Sequence, residues 1–527
     1  MPAKSNDVAS RGTKDAQVLE ELGVKQELQR GFSTLSMIGI AFADLNSWTA
    51  LSTSLNLALP SGGPSAVIWG LLVAGFCNLC LAASLGEFLS AYPTAGGQYR
   101  WAMTVSWPSI SRGLGFVTGW LNVGGWCTLA ATGPLLGSTL VLNIISLENP
   151  TFEAKPWQQF LVFVGFTLIA FLINAFTMKL LPVFGKTAFL WSVAGFGVIC
   201  ITVLAVASPN FQSGEFVYGS VINEVGWPDG LAWLIGLLQG AFALTGFDAT
   251  IHMIEELPNP TLEGPKIMVT AIGIGVFTGF VFVSCLLFTV TDIAQVNSSA
   301  AGPLLTILHQ ATKSKPGAIC LLMFPVMCMV FTSMALMTTS SRMSYAFARD
   351  GGLPFSKVLA KVHPTLQVPL NALIWTASWI IVFGLILLGS SSAFNAIVAA
   401  SVVALGITYA IPPLLNCLRR RRMLPASRPF KLPSALGWVA NVVGILWTVF
   451  TTVLFLFPPE AHVTPTNMNY AIAALTVLFV IALLHWVFDG RKHFLCRQLQ
   501  LPTTTGIEDE SAVNKGTVGA SKVAGEH

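Results

Sequence analysis

The chain has 527 residues, of which 54% are hydrophobic and only 10% charged, whereas a soluble globular protein carries about 25% charged residues. A chain this apolar could not cover soluble domains with polar surface, which excludes a soluble enzyme, a disordered scaffold and a nucleic-acid binder. Its 28 Lys and Arg against 24 Asp and Glu leave a net charge of only +4, so no strongly basic face is on offer.

Residues 1–30 are polar and charged, with no apolar run of the signal-peptide kind, and read as a cytoplasmic tail. A membrane helix needs about 20 mostly apolar residues, and the first such stretch lies near 33–57, across Asp44. The turn Pro60-Ser61-Gly62-Gly63-Pro64 separates it from a second span near 65–90, closed by Glu87, which reads as interfacial. Spans 3, 4 and 5 fall near 113–144, 157–178 and 187–207, and span 6, near 231–254, crosses Asp248. Spans 7 and 8 lie near 267–291 and 318–341. The charge-free window 362–418 breaks at Gly389-Ser390-Ser391-Ser392 into spans 9 and 10, near 369–389 and 393–417. Spans 11 and 12, near 435–457 and 467–488, make twelve, within a membrane domain of residues 31–490. The tail 491–527 reads as cytoplasmic, and from Thr503 onward as disordered.

Orientation follows from Lys and Arg placement. With the N-terminus in the cytoplasm, 25 of the 28 basic residues face inward, and only Lys155, Lys313 and Lys315 face out. The run Arg419-Arg420-Arg421-Arg422 then reads as a topology anchor. Asn297-Ser298-Ser299 is the N-glycosylation acceptor that falls in an outer loop.

Polar groups at membrane depth survive only where protein or water covers them. Span 1 carries Gly39-Ile40-Ala41-Phe42-Ala43-Asp44-Leu45-Asn46-Ser47-Trp48, and span 6 carries Phe242-Ala243-Leu244-Thr245-Gly246-Phe247-Asp248. Five spans apart, the two cross in opposite directions, which points to a five-plus-five inverted repeat with paired broken helices around a central site. A carboxylate in lipid is costly and should face a cavity or a partner. Asp44 is therefore a candidate ligand or ion contact, while for Asp248 helix-break structure or gating stands level with substrate contact. Trp48 and Phe242 flank the breaks and are the candidate aromatic faces for an ammonium group. Gly39, Ile40, Ala41, Phe42, Asn46, Thr245 and Gly246 complete the candidate binding set. Glu255 and Glu256, which close span 6, are expected to pair with Arg30 or Arg342 as a gate. His252 beside them reads as a packing or gating residue. The span-8 hydroxyls Thr332, Ser333, Thr338 and Thr339 read as interhelical hydrogen-bond donors ahead of sodium ligands. The seven scattered His support no nucleophilic catalysis, and no spacing suggests a metal or cofactor site.

These residues resemble the fungal amino acid/choline permeases of the amino acid–polyamine–organocation (APC) transporter superfamily, from roughly Gly31 to Trp486. The resemblance is carried by Asn46-Ser47-Trp48, by Ser90-Ala91-Tyr92-Pro93-Thr94-Ala95-Gly96-Gly97-Gln98-Tyr99-Arg100-Trp101, by Gly246-Phe247-Asp248-Ala249-Thr250-Ile251-His252-Met253-Ile254-Glu255-Glu256, and by the loop Ser341 to Pro354. It implies an all-α, twelve-span, LeuT-like fold in the plasma membrane, with spans 1 and 6 holding substrate and spans 3, 8 and 10 walling it. Rocking would give alternating access, with a proton ahead of sodium as the coupling ion. Amino acid carriers of the superfamily usually have a Gly-Ser-Gly-like turn in span 1, whereas here Gly39-Ile40-Ala41 stands in its place. That departure favours an amine or quaternary ammonium such as choline. γ-Aminobutyrate, other amino acids and polyamines are the alternative substrates, and a nutrient-sensing receptor on the same fold is the alternative of another class.

Overall fold

The computed structural model describes residues 27–28, 30–464 and 467–494, so nearly all of the N-terminal tail and the stretch from Thr503 lie outside the described residues. The described chain is helical, with one isolated β-bridge between Ser61 and Asn223. Among the described residues, ten helices are long and apolar enough to cross a membrane.

The first expected span is three pieces, α1 (Thr34–Leu45), α2 (Ser47–Thr53) and α3 (Leu55–Ala58). After the Pro60 turn come α4 (Gly63–Ala91) and a short α5 (Gln98–Val105). The next long helix is α6 (Pro108–Leu129) running on into α7 (Thr132–Glu148). Then come α8 (Pro156–Phe176), α9 (Leu181–Ala207) and a short α10 (Gly214–Gly219). The sixth expected span is again in pieces: α11 (Asp229–Ala243), an irregular stretch 244–248, α12 (Ala249–His252) and a 3-10 turn at Ile254–Glu256. The chain continues through α13 (Pro260–Thr289), the short α14 (Ile293–Ser298) and α15 (Pro303–Thr312), and α16 (Lys315–Arg349). It ends with α17 (Ser356–Leu359), α18 (Leu370–Gly389), α19 (Ser391–Leu418), α20 (Ser434–Leu454) and α21 (Ala471–His485).

The helix starts follow local chemistry. Ser33 caps α1 by accepting from the Ser36 N–H. Proline stands in the first turn of α4, α6, α8, α9, α13, α15 and α16, where its missing N–H costs nothing. At 35 residues α16 is about 52 Å long by its rise, well beyond a hydrocarbon core of about 30 Å. The stretch read from sequence as a loop, Ser341 to Arg349, is the last part of this helix, and it carries Arg342 and Arg349 inward to the acids of the 3-10 turn at Ile254–Glu256.

Burial sorts the helices into two layers. α1, α2, α4, α6, α13 and α16 bury most of their side chains, including the hydroxyls of Ser47, Thr332, Thr338 and Thr339. α8, α9, α18, α20 and α21 expose large apolar groups such as Leu168, Ile201, Leu385, Leu446 and Phe479. Apolar surface on this scale suits lipid rather than water, and the protein is a multi-pass membrane protein.

Two sequence readings change here. Glu87 is buried, bonded to the Arg421 and Arg428 guanidiniums at 2.6 Å each and to the Leu432 N–H at 3.1 Å. The arginine run is therefore more than a topology anchor: Arg421 ties the α19–α20 connection to α4, and Arg419 donates to the carbonyls of Val105 and Ser106.

Candidate functional site

The first break in the first span is a single residue. Asn46 takes left-handed angles, φ 48° and ψ 36°, a region that Asn visits more readily than most residues. The Thr49 hydroxyl bonds both the carbonyl and the side-chain oxygen of Asn46, and the Asn46 amide reaches Met329 Sδ. Gly39-Ile40-Ala41, expected to form the break, is regular helix instead. A Cβ on Gly39 would lie 2.0 Å from the Gly185 carbonyl oxygen of α9, so this glycine serves close helix packing.

The break in the other span is longer. α11 ends at Ala243, and the chain turns at Gly246, whose φ of +97° strains any residue with a Cβ. The two breaks adjoin: a Cβ on Gly246 would stand 3.9 Å from the Asp44 carbonyl oxygen.

Between them lies a cavity of about 20 Å³, the room of a water molecule. Asp44, Asn46 and Ala50 line it from the first break, Phe242 and Thr245 from the second, Leu129, Thr132 and Leu136 from α6–α7, and Thr332 from α16. Asp44 is 4% exposed. Its Oδ2 accepts from the Thr339 hydroxyl at 2.9 Å, and its Oδ1 has no hydrogen-bond partner. A buried carboxylate with one idle oxygen is poorly compensated and is poised for a cation or a donor.

Asp248 is the opposite case. Its Oδ2 accepts from Gln98 Nε2 at 2.7 Å and Trp126 Nε1 at 3.2 Å, and meets His252 Nε2 at 3.1 Å. Its Oδ1 accepts from the Tyr409 hydroxyl at 2.5 Å. Asn122 fixes the Gln98 amide by donating to its oxygen at 3.0 Å.

Of the expected binding residues, the structure thus gathers Asp44, Asn46, Phe242 and Thr245 around the cavity, with Gly246 adjoining. Gly39, Ile40, Ala41 and Phe42 do not line it, and the Phe42 ring meets Phe189 of α9 edge-on at 5.9 Å. Trp48 also turns away: its indole donates to Ser192 at 2.8 Å and its ring lies 4.5 Å from Phe282. It stands two residues past Asn46, so the helical step carries it to the far side of α2. Thr132, Gln98 and Tyr409 were not expected. For Tyr409 the signal is a hydroxyl in an apolar run of a chain with only six Tyr.

The expected gate is a set of ion pairs below the second break. Arg342 Nε bonds Glu256 at 3.0 Å with both side chains 1% exposed, and Arg349 holds Glu255 through both terminal nitrogens at 2.8 and 3.0 Å. Arg349 was not foreseen as a gate residue. Arg30, three residues ahead of the Ser33 cap, is half-buried. A further pair joins Arg100 to Asp350 at 2.5 and 2.8 Å, with the Tyr99 hydroxyl donating at 2.6 Å. Burial pushes the Asp350 carboxyl up, but Arg100, Arg349 and Tyr99 outweigh it and hold it below its ordinary value. Such pairs are costly to break once enclosed. Asn297 closes α14, and its amide donates to Glu224 at 3.2 Å.

Comparison with known proteins accords with this geometry. The family model described as amino acid permease matches residues 32–480. A choline transporter of Saccharomyces cerevisiae is 34% identical over 472 residues, which is 89% of this chain and 83% of its own. A putative amino acid/polyamine transporter of Macrophomina phaseolina is 35% identical over 444 residues, 83% of this chain and 97% of its own. An amino-acid permease of Arabidopsis thaliana is 32% identical over 495 residues, 90% of this chain and 95% of its own.

Proposed function

This chain belongs to the amino acid permease family of the APC superfamily and is a transporter, not an enzyme, and from that premise we propose that it imports a small cationic or zwitterionic amine, choline first among them. The observation that carries the proposal is Asp44, a buried carboxylate with an idle oxygen facing a cavity between two interrupted helices. The amine's positive charge balances Asp44, and the Phe242 ring offers it an aromatic face, a contact worth about 0.5–2 kcal/mol.

In this reading the two interrupted helices count with the ten long ones as twelve spans, and the first and sixth belong to a five-plus-five inverted repeat. The cavity is too small for an amine as it stands, so substrate enters when the helices separate. The pairs Glu255–Arg349, Glu256–Arg342 and Arg100–Asp350 close the cytoplasmic end, and they break when the site opens inward. Transport is coupled to a proton rather than to sodium. Both termini face the cytoplasm of a plasma-membrane protein, and Asn297 is accessible outside for glycosylation. The resemblance to a choline transporter supports the choice of amine, and the absence of a Gly-Ser-Gly turn at Gly39 supports an amine over an ordinary α-amino acid.

The test is an uptake screen in a transport-deficient cell, comparing labelled choline, γ-aminobutyrate, polyamines and neutral amino acids. Saturable choline uptake that unlabelled choline suppresses is the expected result. Uptake of neutral amino acids with none of any cation would overturn the choice of choline and the role of Asp44 in balancing a substrate cation.

A further inference from the structure

Asp248 ends the second break and His252 closes α12 one turn on, side by side with their side chains wholly buried. Their hydrogen bonds permit a count of protons. His252 Nδ1 faces the Ala95 carbonyl at 2.9 Å. A carbonyl only accepts, so Nδ1 carries a hydrogen. His252 Nε2 then faces Asp248 Oδ2 at 3.1 Å. Two bare lone pairs would repel at that distance, so one proton lies between them, on nitrogen or on oxygen. Either way the pair is electrically neutral and holds one exchangeable proton.

We propose that the His252–Asp248 pair is the site that carries the coupling proton, and that losing this proton loosens the adjacent gate. The proposal rests on the transport reading above. When the proton leaves to water, the N–H or O–H bond breaks, its electron pair stays behind, and the pair goes from neutral to −1. Nε2 and Oδ2 then present lone pairs to each other. Shifting the remaining proton to Nε2 would restore that contact only by setting a bare Nδ1 against the Ala95 carbonyl. The unloaded pair must therefore give up one of its two contacts. The Ala95 contact leads to the gate, because the Ala95 N–H donates to Glu255 at 3.2 Å and Glu255 is the acid held by Arg349.

The surroundings fit a proton site. The titratable groups facing the pair are Tyr409 from α19, which donates to Asp248, and, across the break, Asp44 from α1. One turn on, Glu255 is neutralised by Arg349 of α16. Gln98 and Trp126 offer Asp248 only N–H groups, so neither can take the proton from it. Asp44 and Asp248 thus divide two tasks that one carboxylate could not hold at once, the substrate charge and the proton.

The experiment uses the full chain in proteoliposomes, with labelled choline or the amine selected by the uptake screen, and a pH dye inside. Wild type should exchange substrate, accumulate it under an acid-outside gradient and take up protons when substrate is added. His252→Gln keeps a hydrogen-bonding side chain but cannot titrate. It should still exchange substrate while losing gradient-driven accumulation and substrate-evoked proton uptake. Wild-type proton uptake per substrate in His252→Gln overturns the proposal but leaves proton-coupled transport standing. A wild type that exchanges but shows neither gradient-driven accumulation nor proton uptake overturns both. Tyr409→Phe guards against a His252 variant that does not fold. Removing the Tyr409 hydroxyl takes one donor from Asp248 and changes the hydrogen bonding of the proton site, so the pH profile of accumulation should shift. An unchanged profile in Tyr409→Phe would overturn the proposal independently.

Discussion

Asp44 and Asp248 occupy comparable places in two interrupted helices, yet they are surrounded in opposite ways. Asp44 has one donor, Thr339, and an oxygen without a partner. Asp248 has donors on both oxygens and an imidazole beside it. A buried acid left short of donors can gain from binding a ligand, whereas one already surrounded has room only for the proton it shares with His252. The contrast separates a residue that waits for a ligand from one that organises its neighbourhood, and the same residue type in the same sequence setting does both.

The strongest way to test that contrast is to remove each charge and compare stability with affinity. Asp248→Asn sets an amide N–H against the donors of Gln98, Trp126 or Tyr409. It should destabilise the protein by about 3–5 kcal/mol, the range for leaving partners of a buried charge unmatched, and thermal unfolding of the purified protein reads this. Asp44→Asn should unfold close to wild type and weaken a cationic substrate by about 2–5 kcal/mol, roughly 30-fold to several-thousand-fold in affinity, read in binding assays at matched surface expression. If Asp44→Asn unfolded early and bound normally, the contrast would be inverted. The ring contact is smaller: Phe242→Leu should cost about 0.5–2 kcal/mol of affinity for a quaternary amine and less for a neutral one. Trp48→Phe should leave affinity unchanged and cost about 0.5–1.5 kcal/mol of stability through the lost bond to Ser192. A substrate-specific loss in Trp48→Phe would return that indole to the site. The smallest effect belongs to the gate at neutral pH. Asp350 is held below its ordinary value of 3.8, so its contribution is complete above that value and fades only as pH falls through the depressed one. Stability from pH 7 down to about pH 5 should therefore not report Asp350, and Asp350→Asn should steepen no part of that range.

The spans were legible because lipid demands long apolar runs, and the charge-free windows mark them directly. The two breaks were legible as neighbourhoods, since a carboxylate amid apolar residues needs an explanation wherever it falls. Their exact form was not. Glycine at 39 and asparagine at 46 are both credible helix interruptions, and only the backbone of α9, pressed against Gly39, decides which one yields. Tyr409, Gln98 and Arg349 escaped for a different reason. Each meets its partner across more than ninety residues of chain, and nothing local records such a meeting. Arg349 was hidden further because in the sequence it already counts toward the charge bias from which an orientation is read. Trp48 was misplaced because flanking a break in sequence says nothing about which side of the helix a ring takes.

The contact between Gly39 and Gly185 has a mechanical consequence. A Cβ on Gly39 would lie 2.0 Å from the Gly185 carbonyl oxygen, and one on Gly185 would lie 2.5 Å from that of Ser36. With no side chain between them, the two backbones have no compliant layer on which to slide. α1 and α9 therefore form one stiff beam rather than two rods, and any tilt of the Asp44 helix must drag α9 with it through the membrane. A single methyl at position 39 would act as a wedge under that beam, splaying the helices along their whole shared length.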